Sequence, residues 1–444
     1  MKTDTKEFII SCYKALAMTI ISAIFFIGFG TEYASLTNIS RTLALTLFTY
    51  GISYFLFSNI YGSLKIGEFK SKQVIYSTAL TILFTDIIAY MILMIMQTNP
   101  NNIWANQSFT LENLHILGLV MIVQLILIFF SSYNGNYFFF KLFDPQSTLI
   151  VYDQDYLEDH KIEDFLKRYK KQYIVETPIE IRNNDLYSKI MTSDFVVFYE
   201  MDSEVRKKLV ELCYVENINF SFIPSVVDIV EMSGIHATYG DKPIIEVQAS
   251  KLTFNQRVAK RCLDIAISLT GIIFTLPLWI IFIIAIKLDD GGPIFFSHVR
   301  KTIHGKELKV LKFRSMKVNS PNISAVEDDD RITKVGKILR KIRMDELPQL
   351  LNILLGDMSL VGPRPEMIEN INTYEEEMPE FRYRLKVKAG LTGIAQIEGK
   401  YNTSPKDKLI MDLIYIENYS IWLDIKLLFK TFVIFFKKDS TEGF

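Results

Sequence analysis

Four apolar runs fill the first third of the chain, at residues 15–30, 43–61, 74–96 and 114–133, each 16 to 23 residues long. As helices they would cross a hydrocarbon layer about 30 Å thick, at about 1.5 Å of rise per residue. The first run does not read as a cleaved signal, because no small-residue cleavage site follows it and three more runs come after. Loop charges orient the set. Lys2, Lys6 and Lys14 precede the first run, and Lys65, Lys70 and Lys72 lie near the second loop, whereas residues 97–113 hold no Lys or Arg. A cytoplasmic N-terminus follows, with the chain back in the cytoplasm near Lys141. Asp86 falls inside the third run, where an ionisable group is costly. An interhelical hydrogen bond is its simpler reading, and a substrate path the second.

Composition excludes several other classes. The chain has 444 residues, 49% of them apolar and 22% charged, so it is neither disordered nor collagen-like. Its net charge of −1 gives no field for nucleic acid. Cys12, Cys213 and Cys262 are far apart and form no CxxC, and the five histidines include no HExxH. Neither a disulfide framework nor a zinc site is expected.

From residue 147 the composition turns soluble. Strands are expected at 148–152, 173–177, 194–199 and 220–223, a charged helix at 161–171 and a helix at 203–216. Strand–helix alternation at this spacing predicts a parallel α/β sheet. No GxGxxG follows the first strand, so a dinucleotide is not supported. Residues 228–243 read as a linker.

Residues 265–286 form a fifth uncharged run, yet both flanks are basic: Lys251, Arg257, Lys260 and Arg261 before, Lys287, Arg300, Lys301 and Lys306 after. Both ends therefore read as cytoplasmic. Pro277 lies mid-run and removes a backbone donor. A re-entrant hairpin over 262–288, broken at Pro277, is expected; a kinked span is the alternative.

Beyond it, charged residues cluster in short blocks: Leu311-Lys-Phe-Arg-Ser-Met, Leu339-Arg-Lys-Ile-Arg-Met-Asp-Glu-Leu-Pro-Gln, Gly362-Pro-Arg-Pro-Glu and Lys388-Ala-Gly-Leu-Thr-Gly-Ile-Ala-Gln. Leu347, Leu350, Leu351, Leu354 and Leu355 make a helical stripe, with Pro348 suited to its first turn and Gly356 to its C-cap. Asp345 and Glu346 then lie at its N-terminus. Alone, two carboxylates there would read as a cap. Lys312, Arg314, Arg340, Arg343 and Arg364 are more cation than a cap needs. Guanidinium forks match phosphate oxygens, and carboxylates beside them, with Mg²⁺ on the diphosphate, suit phosphoryl transfer. One carboxylate can attack phosphorus while the other holds metal. Pro363 and Pro365 stiffen the turn that carries Arg364. Gly390 and Gly393 permit close backbone approach in the block that ends at Gln396, a further candidate for substrate contact. Residues 415–438, with Trp422, Phe429, Phe432, Phe435 and Phe436 among lysines, read as interfacial helices, with a buried core helix as the alternative.

These ordered blocks, from about residue 258 to 437, resemble the bacterial sugar transferase family, the monotopic polyprenyl-phosphate phosphoglycosyl transferases. The whole chain is similar to the large branch that initiates exopolysaccharide or capsule synthesis. The resemblance implies a membrane protein with four transmembrane helices (1–140), a Rossmann-like α/β domain (145–245) and an α-rich catalytic module (251–444). It implies transfer of a sugar 1-phosphate from a UDP-sugar to undecaprenyl phosphate, with release of UMP, at the bacterial inner membrane and with the catalytic module in the cytosol. Asp345 matches the nucleophile, which forms a covalent phosphosugar, and Glu346 its Mg²⁺-associated neighbour. Lys312, Arg340 and Arg364 match basic positions, and Pro277 the helix-breaking proline. Thr302, Ala389 and Met344 stand where the family usually has Gly, Pro and Leu; none of the three carries charge. Glucose and galactose are candidate sugars by resemblance alone, and a homodimer is kept as an option.

Two other readings are weighed. A membrane-linked nucleotide-sugar dehydratase would need a Gly-rich dinucleotide turn and a Tyr-xxx-Lys pair in the C-terminal half, and no such Gly-rich turn is present. A non-catalytic scaffold for polysaccharide assembly would release no UMP.

Overall fold

The structure, a computed structural model, describes residues 3–98, 110–156, 172–248, 252–318, 329–399 and 403–434. The chain divides into two compact units, Met1–Ile223 and Pro224–Phe444.

In the first unit the apolar runs form four long helices, α1 (Thr3–Gly30), α2 (Arg41–Tyr61), α3 (Ser71–Thr98) and α4 (Leu114–Leu142). Ser40 caps α2, accepting from the Leu43 N–H at 3.0 Å, and Gly62 ends it in the left-handed region at φ 71°. The packing is inside out relative to a water-soluble bundle. Ile27, Phe48, Phe55 and Leu119 face outward, while Thr81, Thr85, Asp86 and Gln124 are fully buried. That pattern suits a hydrocarbon surround, where polar side chains must find partners within the protein. Aromatic rings fill the interior: Phe25 lies 4.9 Å from Phe29 and 5.4 Å from Tyr50, centroid to centroid. Gln124 Nε2 donates to the Ile21 carbonyl at 3.1 Å and makes a long contact of 3.5 Å to Asp86, the interhelical contact expected for that residue.

The same unit holds a parallel sheet, in the order β2 (Tyr173–Val175), β1 (Gln146–Tyr152), β4 (Phe195–Tyr199), β5 (Asn219–Phe222), with β3 (Ile179–Glu180) pairing the end of β1. Leu149, Val151, Val196 and Phe198 pack against Leu209 and Cys213 of α6 (Ser203–Val215), which Asp202 caps. Strand β3 and α5 (Leu186–Thr192) were not anticipated, since two and seven residues are too short to establish a period. The charged helix expected at 161–171 lies outside the described residues.

The second unit begins with a correction. The segment read as a linker folds into α7 (Val226–Met232), closed by a Ser225–Asp228 capping box, and an antiparallel hairpin of β6 (Ile235–Tyr239) and β7 (Lys242–Glu246). Ser233 Oγ bonds Glu417 Oε2 at 2.9 Å, and Ile229 joins the unit's main core.

Helix α8 (Phe254–Asp290) is a single helix of 37 residues with Pro277 inside it. The backbone break expected at Pro277 is absent. A proline costs one main-chain hydrogen bond, and the adjoining turns are otherwise supported: Trp279 Nε1 donates to Thr275 Oγ1 at 3.1 Å, and Trp279 packs edge-on against Phe313. Among the described residues five helices, α1 to α4 and α8, are long and apolar enough to cross a membrane. Yet α8 touches its own unit at points near both ends and in its middle. Lys260 bonds the Val361 carbonyl at 2.9 Å, Gly271 lies against Leu350, and Asp289 accepts from Val335 N–H at 3.1 Å. Its other face, including Phe274, Ile280 and Leu288, is exposed.

The remaining elements are the hairpin β8 (Phe295–Lys301) and β9 (Glu307–Phe313), α9 (Lys334–Lys341), α10 (Gln349–Leu355), β10 (Ser359–Val361), α11 (Ile368–Glu377), β11 (Gly390–Thr392), α12 (Pro405–Glu417) and α13 (Ile421–Ile434). Helix α12 buries Leu409 and Leu413, and at its end Tyr415 and Ile416, so at those last two residues the core alternative holds. In α13 Trp422 is exposed, while Asp424 and Leu427 are buried. Phe435 and Phe436 lie outside the described residues.

Strands β10 and β11 run parallel, and at their ends two glycine backbones meet: a Cβ on Gly390 would lie 2.1 Å from the Gly362 nitrogen. Gly390→Ala is therefore expected to cost about 2–3 kcal/mol, an overpacking penalty with no flexible neighbour to absorb it. Thermal unfolding of the variant checks this; an unchanged midpoint would contradict the close approach.

Candidate active site

Arg343 adopts a left-handed conformation (φ 55°) and ends the run of α9, turning the chain into a 3₁₀ turn, Met344–Glu346, that feeds α10. Pro348 stands at the start of α10, and Gly356 ends it at φ 95°, as the leucine stripe predicted. The acid pair is thus in the turn ahead of the helix rather than in its first turn. Asp345 is buried.

Strand β9 brings Lys312 to the pair. Its Nζ lies 2.7 Å from Glu346 Oε1 and 4.0 Å from Asp345 Oδ2. The Gly362–Glu366 turn brings Arg364, whose Nη2 donates to the same Glu346 oxygen at 2.8 Å. Arg340 and Arg343 complete the electrostatic surround of the two acids. Arg340 Nε donates to Ser315 Oγ at 2.9 Å.

These surroundings push the two carboxyls apart. Burial raises Asp345 above the ordinary range, and the charge on Glu346 adds to this; Lys312 and Arg340 only partly offset it. Glu346 is half-buried, and Arg364 and Lys312 pull its carboxyl well below the usual range. Glu346 in turn holds the Arg364 guanidinium up. Two adjacent acids with opposite shifts suit two different tasks.

Two candidates are not brought to the pair. Arg314 is buried against Asp290 at the end of α8 and the Pro293 and Met316 carbonyls, so its fork is occupied by protein. Gln396 makes a long 3.5 Å contact to the Gly362 carbonyl. It supports the base of the Arg364 turn and does not touch the acids.

Sequence reasoning missed the support of that turn. Arg384 Nη2 donates to the Arg364 carbonyl at 2.9 Å and pairs with Asp412 at 2.7 Å; both side chains are buried. Arg300 Nη1 reaches the Pro365 carbonyl at 3.4 Å and faces Arg364 and Glu346. Neither arginine stood out among 49 Lys and Arg residues, because burial is not written in a charged residue's neighbours. A cleft lined by Lys301, Thr302, Arg364, Glu366 and Arg384 adjoins the turn. Within it Ala389 N–H donates to Thr302 Oγ1 at 3.0 Å. The two positions that depart from the usual Gly and Pro are thus bonded to one another.

The model of the family described as bacterial sugar transferase matches residues 255–438. A UDP-glucose:undecaprenyl-phosphate glucose-1-phosphate transferase of Klebsiella pneumoniae is 35% identical over 255 residues, covering 55% of this chain and 53% of its own. A UDP-N-acetylgalactosamine-undecaprenyl-phosphate N-acetylgalactosaminephosphotransferase of Aeromonas hydrophila is 40% identical over 39% of this chain and 42% of its own. The exopolysaccharide production protein PSS of Rhizobium leguminosarum bv. phaseoli is 39% identical over 188 residues, 40% of this chain but 94% of its own. The chain spans about half the length of the first curated relatives it matches. The matched region contains the Asp345–Glu346 turn, Lys312 and the Arg364 loop, and with a relative aligned along almost its full length the chain belongs to the bacterial sugar transferase family.

Proposed function

We propose that this chain transfers a sugar 1-phosphate from a UDP-sugar to undecaprenyl phosphate, releasing UMP, through a covalent phosphosugar on Asp345. The observation that carries this reading is the buried Asp345 beside a Glu346 whose oxygen is already claimed by Lys312 and Arg364. The names of the relatives from Klebsiella and Aeromonas supply the donor and acceptor classes. An Asp345 carboxylate oxygen attacks the sugar-proximal phosphorus, the bond to the bridging oxygen breaks, and its electron pair leaves on UMP. A phosphate oxygen of undecaprenyl phosphate then attacks the same phosphorus; the acyl phosphate breaks and the carboxylate returns. Lys312, Arg340, Arg364 and Arg300 would bind donor phosphates.

Mg²⁺ fits the donor set. Lys312 and Arg364 engage one Glu346 oxygen, Oε1, and Mg²⁺ commonly takes one or two carboxylates and fills its other positions with water and phosphate. Among the described residues no three acidic, His or Cys side chains gather as a metal cage, which agrees with an ion that comes with its substrate. Glu346 would hold it, leaving Asp345 to attack, and it would neutralise diphosphate charge.

In this reading the donor is soluble and the acceptor phosphate lies at headgroup level. The lysines flanking the apolar runs support a cytosolic second unit at a bacterial inner membrane, with the exposed apolar face of α8 against lipid. Residues 1–140 act as a membrane bundle, and the Rossmann-like domain read over 145–245 ends at 223, because residues 224–246 pack in the second unit. The reaction is the first membrane step of exopolysaccharide or capsule synthesis.

The test is product release from a panel of UDP-sugars with undecaprenyl phosphate. UMP is expected from at least one, with EDTA stopping it. UDP as the product, or no nucleotide release at all, would remove the proposal. Arg364→Lys should lower kcat roughly 10²–10³-fold, the usual cost of one charge-stabilising donor, because a lysine cannot present the fork. Wild-type kcat in that variant would dismiss the role of Arg364.

A further inference from the structure

Inside the bundle of α1 to α4, six described side chains leave a buried oxygen without a well-formed hydrogen bond, and four of these, one from each helix, lie together: Ser22, Tyr50, Asp86 and Gln124. They are neighbours. The Tyr50 hydroxyl sits beside Ser22 and Asp86, and Gln124 contacts Asp86 while its Nε2 is committed to the Ile21 carbonyl. Asp86 and Gln124 are fully buried and Tyr50 nearly so. A single orphaned oxygen in a membrane interior is costly, and four together need a shared partner.

Charge narrows what that partner is. An ionised carboxyl in hydrocarbon requires a counter-charge. Residues 15–40, 42–64, 73–98 and 114–140 contain no Lys or Arg, so none of these helix interiors supplies one. The available atoms are one carboxylate, one amide carbonyl and two hydroxyls. All are hard oxygen donors, with no His or Cys of the kind transition metals favour. One negative charge among neutral oxygens balances a monovalent ion rather than a divalent one.

We propose that Asp86, Gln124, Tyr50 and Ser22 form a binding site for one monovalent cation of sodium's size, tying the four helices together. The site is independent of the transfer reaction assigned to the second unit.

The full chain in lipid nanodiscs is the sample, and its thermal midpoint the readout. Sodium chloride is raised at constant ionic strength against choline chloride, with potassium chloride in parallel. Wild type should rise saturably by roughly 5 °C in sodium, the size of shift expected from a ligand that binds only the folded state. Asp86→Asn should lose that response, because its side chain is neutral. Should Asp86→Asn fail to fold, Gln124→Leu, which removes one ligand, should need more sodium for the same rise. A response shared by sodium and potassium but not choline supports an unselective site. Equal midpoints in sodium and choline would overturn the proposal in favour of a protonated Asp86 or an internal water. A sodium response kept in Asp86→Asn, or unchanged in Gln124→Leu, would place the ion elsewhere and overturn it too.

Discussion

Asp345→Asn should lower turnover roughly 10⁴-fold or more, the scale of loss when a nucleophile is removed. The substitution keeps the size of the side chain, so Lys312, Glu346 and Arg364 retain their places. An amide forms no acyl phosphate, and donor labelled in the sugar should therefore leave no acid-stable label on the polypeptide, whereas wild type should carry it. Label on the variant, or turnover near wild type, would end the covalent assignment. The same residue sets an acid limit. Attack needs the carboxylate, and burial holds the Asp345 carboxyl above its ordinary value of 3.8. Activity should fall, as pH drops, at a higher pH than an ordinary aspartate would give, and Glu346, held down by Arg364 and Lys312, should not contribute to that limb. A profile flat to the ordinary carboxylate range would argue against Asp345 as the titrating group.

The second large effect is expected away from the acids, at Asp412. Arg384 and Asp412 are both buried, and Arg384 also holds the Arg364 carbonyl. Asp412→Asn leaves a buried guanidinium without its counter-charge and should cost about 3–5 kcal/mol. The Arg364 turn should loosen as well, so any folded variant should lose kcat. Denaturant unfolding of both proteins, with kcat measured on the folded variant, decides it: wild-type stability and turnover in Asp412→Asn would refute the role of the pair.

The departures from the family pattern illustrate how far local reading reaches. Thr302 and Ala389 stand 87 positions apart in the chain, yet their bond at 3.0 Å makes them one feature. A proline at 389 would have no N–H to give, so the alanine creates a donor and the threonine accepts it. Arg314 and Lys312 are two residues apart and equally basic, but only Lys312 meets the acids. Arg314 is taken by Asp290, because Gly291 turns α8 into β8 and lays that end of the helix beside β9.

Read alone, the amino-acid order determined the features that rest on near neighbours. Run length marked the apolar helices, the leucine stripe and Gly356 placed α10, and the β-branched and aromatic run at 194–199 gave β4. Such signals act within a turn or a strand, so they survive in any fold. Tertiary structure alone decided which cation faces which carboxylate, that the helical backbone runs on through Pro277, and that residues 228–243 fold rather than link. Those outcomes depend on burial and on strand register between residues tens of positions apart, and no local pattern encodes either.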